Sequence, residues 1–191
     1  MVTGELVTKP WRAAAGPARN ARAVHTWLTH AETGPDIAAV REITLAAFDT
    51  PLEADLVDAL RVHPAWIDGL SIVATTVDGE PVGHALLTRC HIGYTPALCL
   101  APCSVLPQYQ RSGAGSAAIR AALRAATDLG ELYVTVLGHP AYYPRFGFTR
   151  ASAHGIGLGV EVPGEALMVL ALDPDHPLPA GTIRYAAPFG I

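Results

Sequence analysis

The sequence predicts a mixed α/β domain, one sheet flanked by helices, rather than a regularly alternating doubly wound fold. Three observations predict it. The elements run strand, two helices, three strands, helix, strand, short helix and further strands. Two β-rich runs, Leu70–Val77 and Pro81–His91, flank Asp78-Gly79, the composition of a tight hairpin turn. An apolar run then ends at Pro107, turns through Arg111-Ser112-Gly113-Ala114-Gly115-Ser116, and opens an alanine-rich helix.

In order along the chain, residues 1–24 are rich in Ala, Arg, Pro and Gly without periodicity, which predicts a flexible tail or arm. Residues 25–191 form a single domain. Thr26–Glu32 is a first strand. Thr33-Gly34-Pro35-Asp36 then starts a helix with Asp36 near its N-cap, and Ile37, Val40, Ile43, Thr44, Ala47 and Phe48 recur at helical spacing. A second helix follows Thr50-Pro51, with proline in the first turn and Leu52, Leu56, Ala59 and Leu60 toward the core; Trp66 lies just beyond it. After the hairpin, Ala97–Leu106 is a strand that Pro102 must bulge or break, because proline donates nothing to a ladder. Gly115–Leu129 is a helix ended by Gly130. Leu132–Leu137 is a buried strand, Ala141–Phe146 a short helix closed by Gly147, and Phe148 onward irregular, its glycines at 155, 157 and 159 lacking a phosphate-loop context. Ala166–Leu172 is the last strong strand, and Leu178–Ile191 packs as a short edge. An edge strand there can pair between subunits, so monomer and homodimer both stay open.

Composition removes several classes of function. Of 191 residues, 50% are apolar and only 16% charged, which excludes a disordered chain. A net charge of −4 argues against nucleic acid as a partner. No apolar run approaches the roughly 18 residues of a membrane span, and the first residues lack the apolar core of a signal peptide; a cytoplasmic location and no membrane partner are expected. Cys90, Cys99 and Cys103 lack metal-ligand spacing and read as reduced thiols. No metal is expected.

The turn before the long helix carries the chemistry. A helix start presents unpaired N–H groups at the positive end of the helix dipole, and this suits a phosphate. Gly113 and Gly115 allow close backbone approach. Arg111 suits phosphate through its planar guanidinium, and the Ser116 hydroxyl adds a donor.

With those residues in view, the chain resembles the GNAT superfamily of N-acetyltransferases. Gln110-Arg111-Ser112-Gly113-Ala114-Gly115 fits the family's Gln/Arg-x-x-Gly-x-Gly/Ala loop, Val105-x-Pro107 precedes it, and Tyr143-x-x-x-Gly147-Phe148 follows. Pro81-Val82-Gly83-His84, the run Val136–Phe148 and Gly181–Tyr185 resemble a YhbS-like bacterial subfamily. Cys103 and Ser104 depart from the usual aliphatic and small pair, and His139 stands where an acidic residue is common.

The resemblance implies a mostly antiparallel, splayed mixed sheet and acetyl-CoA as acyl donor. It implies that Arg111, Ser112, Gly113, Ala114, Gly115 and Ser116 hold the pyrophosphate, with the adenosine 3′-phosphate the alternative partner of Arg111. Cys103, Ser104 and Val105 line the pantetheine on the splayed strand. The Val105 N–H polarises the thioester carbonyl, and Tyr143 is the general acid for the departing thiolate, with Tyr142 the competitor by sequence alone. The reaction implied is direct attack by a primary amine of a small molecule or polypeptide in a ternary complex. The general base stays open among Asp49, Glu53, Asp55, His84, His91 and His139. A covalent acetyl-Cys103 route needs an electropositive, accessible thiol that the sequence does not offer. Two other readings also stay open: a catalytically silent CoA-binding module, and a transferase using a longer acyl-CoA or an acyl-carrier protein.

Overall fold

Alternating side chains along short apolar strands build one sheet with two different faces. The computed structural model describes residues 26–191, so the expected arm at 1–24 lies outside the described residues. The strands are β1 (Leu28–Ala31), β2 (Ser71–Thr75), β3 (Pro81–Ile92), β4 (Thr95–Val105), β5 (Tyr133–Leu137), β6 (Thr149–Arg150), β7 (Ile156–Leu158), β8 (Leu167–Ala171) and β9 (Gly181–Arg184). Their order is β1-β2-β3-β4-β5-β8-β6, with β9 pairing both β3 and β7. The β4–β5 and β7–β9 pairs are parallel and the others antiparallel. The expected mixed, mostly antiparallel sheet is therefore what these residues form.

Helices α1 (Ile37–Ala47) and α2 (Leu52–Arg61) cover one face; α3 (Ala114–Asp128) covers the other. On the first face Val40, Leu56, Val57 and Leu60 pack with Val73, Leu86, Cys90, Cys99 and Val169. On the second, Ala118, Ile119, Ala122, Leu123 and Ala126 of α3 pack with Leu87, Leu98, Leu100, Val134 and Val136. Those α3 positions recur at three and four residues, as an amphipathic helix requires. The alanines let it lie close to the sheet. Its end is the glycine cap the sequence predicts: Gly130 has φ 77°, its N–H bonds to Thr127 O, and the Glu131 N–H bonds to Ala126 O.

Three expectations are corrected. Ala59 is exposed; Ala54 and Val57 take the core positions of α2 instead. The stretch after Phe148 is not wholly irregular, since β6 and β7 form within it. The C-terminal segment does not form a free edge. Once β2 stops pairing at Leu86, β3 has an open side, and β9 fills it at His91–Ile92 while β7 covers its other side. The argument for pairing between subunits through this strand falls with that.

A charged network runs along α2 and is buried at its Glu32 end. Glu32, with 3% of its side chain exposed, accepts from Arg61 Nε at 2.9 Å. Arg61 also meets Asp58 at 2.7 Å, and Asp58 and Asp55 pair with Arg41. Ser71 donates to Glu32, whose carboxylate can only accept. The Ser71 hydroxyl has one proton, so the 2.8 Å contact between Ser71 Oγ and His84 Nε2 must be a bond donated by the histidine. His84 is thus the Nε2–H tautomer, and its buried Nδ1 has no partner.

Burial, with the Arg61 charge second, pushes the His84 pKa down from 6.5 to about 3. The unfolded chain therefore binds the extra proton first as pH falls. Stability from this group is complete above pH 6.5 and drains away down to about pH 3. By pH 5 the loss is about 2 kcal/mol. Urea unfolding at pH 7.5 and 5 is expected to show this fall in wild type and a flatter profile in His84→Gln. Equal slopes in the two proteins would remove His84 as its cause.

Candidate active site

The start of α3 leaves backbone donors free. Arg111 (φ 63°) and Gly113 (φ 106°) both adopt the left-handed region, which bends the loop so that the helix begins at Ala114. The first intrahelical bond runs from Ala117 N to Gly113 O, and no side chain caps the terminus. The N–H groups of the first turn therefore face outward without helical acceptors. Gly115 is required for close approach. A Cβ there would lie 3.0 Å from Val105 Cγ2, 3.6 Å from the Tyr142 hydroxyl oxygen and 3.8 Å from Cys103 Sγ. The helix terminus, the end of β4 and the tyrosine turn thus converge on one point.

The loop is braced before any ligand arrives. Ser112 Oγ donates to Tyr109 O, and Gln110 Nε2 donates to Val105 O at 3.3 Å. Tyr109 donates to Glu80 at 2.8 Å. Trp27, just ahead of β1, donates from Nε1 to Ser112 O at 3.2 Å and sets its ring edge-on to Tyr109. Sequence reading assigned Trp27 no role. Nothing local reveals a contact that spans 85 residues. Arg111 is exposed beside this loop.

Strand β4 is the second wall. It pairs with β5 only at Leu98 and Cys99; beyond that rung the two part. Against β3 the register slips between Ala85 and Leu87, opposite the cis Ala101–Pro102 peptide, so the bulge expected at Pro102 is there. Leu106 N bonds to Val82 O. N–H directions alternate along an antiparallel strand, so Ser104 also turns its backbone to β3. The Val105 and Cys103 N–H groups turn to the open side. Ser104 is thereby set apart from its neighbours. Its hydroxyl lies on the α1 face, 3.1 Å from Thr44 Oγ1.

The two tyrosines separate clearly. Tyr142 places its hydroxyl 3.1 Å from Ser116 Oγ. Tyr143 packs edge-on to Tyr142 and to Phe148 and lies over Gly138, where a Cβ would sit 2.3 Å from its ring. The Tyr143 hydroxyl makes no hydrogen bond among the described residues. Tyr143 packs, with Tyr142, Phe146 and Cys103, against the core cluster on the α3 side of the sheet. Burial, with Cys103 and Tyr142 nearby, holds its phenol well above the usual range. Burial also pushes the Cys103 thiol up to about 12, which makes it a poor nucleophile.

Most base candidates are otherwise engaged. Glu53 accepts from Thr50, Asp55 pairs with Arg41, and His84 is closed into the Glu32 network. His91 lies at the far end of β3 from the loop, and His139 Nδ1 accepts from Ala141 N. Asp49 is exposed between α1 and α2. A hollow of about 390 Å³ lies at the other end of α3, by Arg124, Asp128 and Leu170, remote from this convergence. Among the described residues no three His, Cys, Asp or Glu side chains group as a metal site, and no helix is long and apolar enough to cross a membrane.

A model of the acetyltransferase (GNAT) family matches residues 37–148, from the start of α1 through the tyrosine turn. The chain belongs to the GNAT acetyltransferase family. It is similar to the uncharacterized N-acetyltransferase YjhQ of Escherichia coli K12, with 37% identity over 129 residues, 65% of this chain and 71% of YjhQ. The uncharacterized N-acetyltransferase YhbS of the same strain is 28% identical over 134 residues, 68% of this chain and 77% of YhbS. The crystal structure of E. coli YhbS in complex with CoA shares the fold, with a TM-score of 0.81 at 24% identity over 94% of this chain and 97% of that one. A GNAT acetyltransferase from Brucella melitensis in complex with acetyl-CoA gives 0.70 at 31% identity, over 86% and 99%. The GNAT match holds the loop, β4 and Tyr143, and leaves β7, β8 and β9 outside it.

Proposed function

We propose that the protein is an acetyl-CoA-dependent N-acetyltransferase that acetylates a primary amine of a small molecule or polypeptide by direct attack in a ternary complex. One observation carries this reading: the uncapped start of α3 and the free edge of β4 converge, held together through Gly115. The CoA and acetyl-CoA complexes of its structural relatives support the choice of ligand.

The residues fit such a donor end to end. Outward N–H groups from Gly113 to Ser116 receive the pyrophosphate, with Arg111 beside them for phosphate charge. The open-side backbone of Cys103 and Val105 offers the pantetheine a strand-like partner. Acetyl-CoA supplies an acyl carbon already activated as a thioester. The Val105 N–H donates to the oxyanion that grows on its carbonyl; loss of one such donor typically costs about 3–4 kcal/mol. The amine nitrogen bonds to the acyl carbon, the carbon–sulfur bond breaks, and Tyr143 delivers its proton to the thiolate. The amine's own proton leaves to solvent, and solvent returns one proton to the Tyr143 phenolate, which closes the cycle. Ser104, with its side chain and N–H both turned away, contributes only its place in the strand.

Incubation with acetyl-CoA and a panel of primary amines tests this. Free CoA thiol is expected to appear together with a product carrying one acetyl group. CoA binding without thiol release across the panel would support the silent-module reading instead. Faster turnover with longer acyl-CoAs would reassign the donor.

A further inference from the structure

Trp27 stands immediately ahead of β1, outside the residues that the family model matches. Strand β1 runs antiparallel to β2 with Leu28 opposite Thr75, so Trp27 lies beside the turn that joins β2 to β3. Glu80 of that turn accepts from the Tyr109 hydroxyl at 2.8 Å, and the Tyr109 ring meets the indole edge-on with centroids 5.8 Å apart. Two segments remote in sequence thus hold the indole against the glycine loop.

The indole acts on one peptide. Ser112 sends its N–H and its hydroxyl to Tyr109 O, the N–H at 3.3 Å, and its carbonyl accepts from Trp27 Nε1 at 3.2 Å. The Ser112–Gly113 peptide is trans, since the one cis bond among the described residues is Ala101–Pro102. In a planar trans peptide the carbonyl and the N–H point opposite ways. Holding the Ser112 carbonyl on the indole therefore turns the Gly113 N–H away from it, to a side where none of the described residues accepts it.

The same carbonyl decides a second donor. Ser112 O stands four residues before Ser116, and a helix extended back by one residue would give it the Ser116 N–H. It receives the indole instead. The first helical bond is then Ala117 N–H to Gly113 O, and the Ser116 N–H stays without a helical acceptor. A carbonyl that accepts a hydrogen bond also polarises its peptide, which strengthens the N–H at the other end. One indole proton thus aims and strengthens the Gly113 donor and keeps the Ser116 donor free.

We propose that Trp27 is a positioning residue of the cofactor site, acting through the Ser112–Gly113 peptide to set the direction and strength of the donors that meet a diphosphate. The assignment rests on the acetyltransferase reading above and adds to it a residue from outside the family match. Trp27 touches none of the reacting atoms, so its loss weakens cofactor binding and leaves the chemistry of bound acetyl-CoA alone.

Amide proton spectra of isotope-labelled full-length protein, with CoA as probe, test this. A charge-assisted hydrogen bond is short and strong, and it moves its proton downfield. In wild type, saturation with CoA is expected to move the Gly113 amide and the Trp27 indole proton downfield together, because each bond strengthens the other. Trp27→Phe keeps a ring against Tyr109 and removes the donor. Its Kd for CoA, measured by calorimetry, is expected to rise roughly five- to tenfold, the worth of one hydrogen bond, and the Gly113 movement at saturation is expected to shrink. Trp66→Phe, whose indole donates to exposed Asp68 at 3.2 Å, is expected to change neither. Wild-type CoA affinity in Trp27→Phe would overturn the proposal. So would weakened affinity with an undiminished Gly113 movement, which would make Trp27 a packing residue of the loop. In wild type alone, a Gly113 amide that CoA leaves in place overturns it as well, whatever the stability of the variant. Failure of wild type to bind CoA is a different result, and it overturns the acetyltransferase reading itself.

Discussion

Gly113→Asp is expected to abolish measurable binding of CoA and acetyl-CoA while the protein stays folded. Two effects add. Gly113 sits at φ 106°, where a side chain is strained, and a Cβ would lie 3.5 Å from Trp27 Nε1, against the indole that braces the loop. The added carboxylate would also stand at the positive end of α3, where the cofactor's own negative charge must come. Two like charges at about 4 Å repel by roughly 4 kcal/mol at the effective dielectric of a protein surface, and a thousandfold in affinity is about that size. Gly113→Ala separates the two, since it keeps the strain without the charge. Calorimetry of wild type and both variants with CoA checks the order: wild type tightest, alanine weakened, aspartate lost. Equal affinity in wild type and Gly113→Asp would place the phosphates elsewhere and make the glycine turn an ordinary helix start.

Much of this site was legible in the sequence because its determinants are local. Glycine spacing, the alanine-rich run and Gly130 fix where α3 starts, how closely it approaches and where it ends. Pro102 announces the bulge of β4 for the same reason, since a missing N–H is a property of one residue. What was not legible depends on partners distant in the chain. Trp27 reaches Ser112 across the domain. Ser104 looks like a cofactor residue by position, yet the alternation set by the Leu106–Val82 bond turns it to the other face. The Tyr185 segment reads as an edge because its composition is that of a tail. Only the early end of β2 gives β9 a strand to pair with. His84 reads as a candidate base until Glu32, just beyond β1, and Ser71 of β2 fix its tautomer and close it in.

Tyr143→Phe is expected to lower kcat by about 10²–10⁴ with little change in the affinity for acetyl-CoA, the range set by loss of one general acid. The change is conservative for packing. The Tyr143 ring holds Gly138, Phe148 and Tyr142 by its faces and edges, and phenylalanine keeps all of them. Only the hydroxyl is removed, and it bonds to nothing among the described residues. Thermal stability should therefore hold while chemistry fails. Tyr142→Phe supplies the contrast. Its hydroxyl meets Ser116 at the helix start, so its loss is expected to raise the Kd for CoA modestly and leave the chemical step nearly intact. Because burial holds the Tyr143 phenol well above its ordinary value, the acid stays protonated through neutral and mildly alkaline pH. The rate is then expected to rise with pH as the amine deprotonates, with no alkaline fall from this residue below about pH 10. Single-turnover acetyl transfer by the two variants, followed from pH 6 to 9.5, distinguishes the roles. A wild-type rate in Tyr143→Phe with a large loss in Tyr142→Phe would move the proton donor one residue back along the turn.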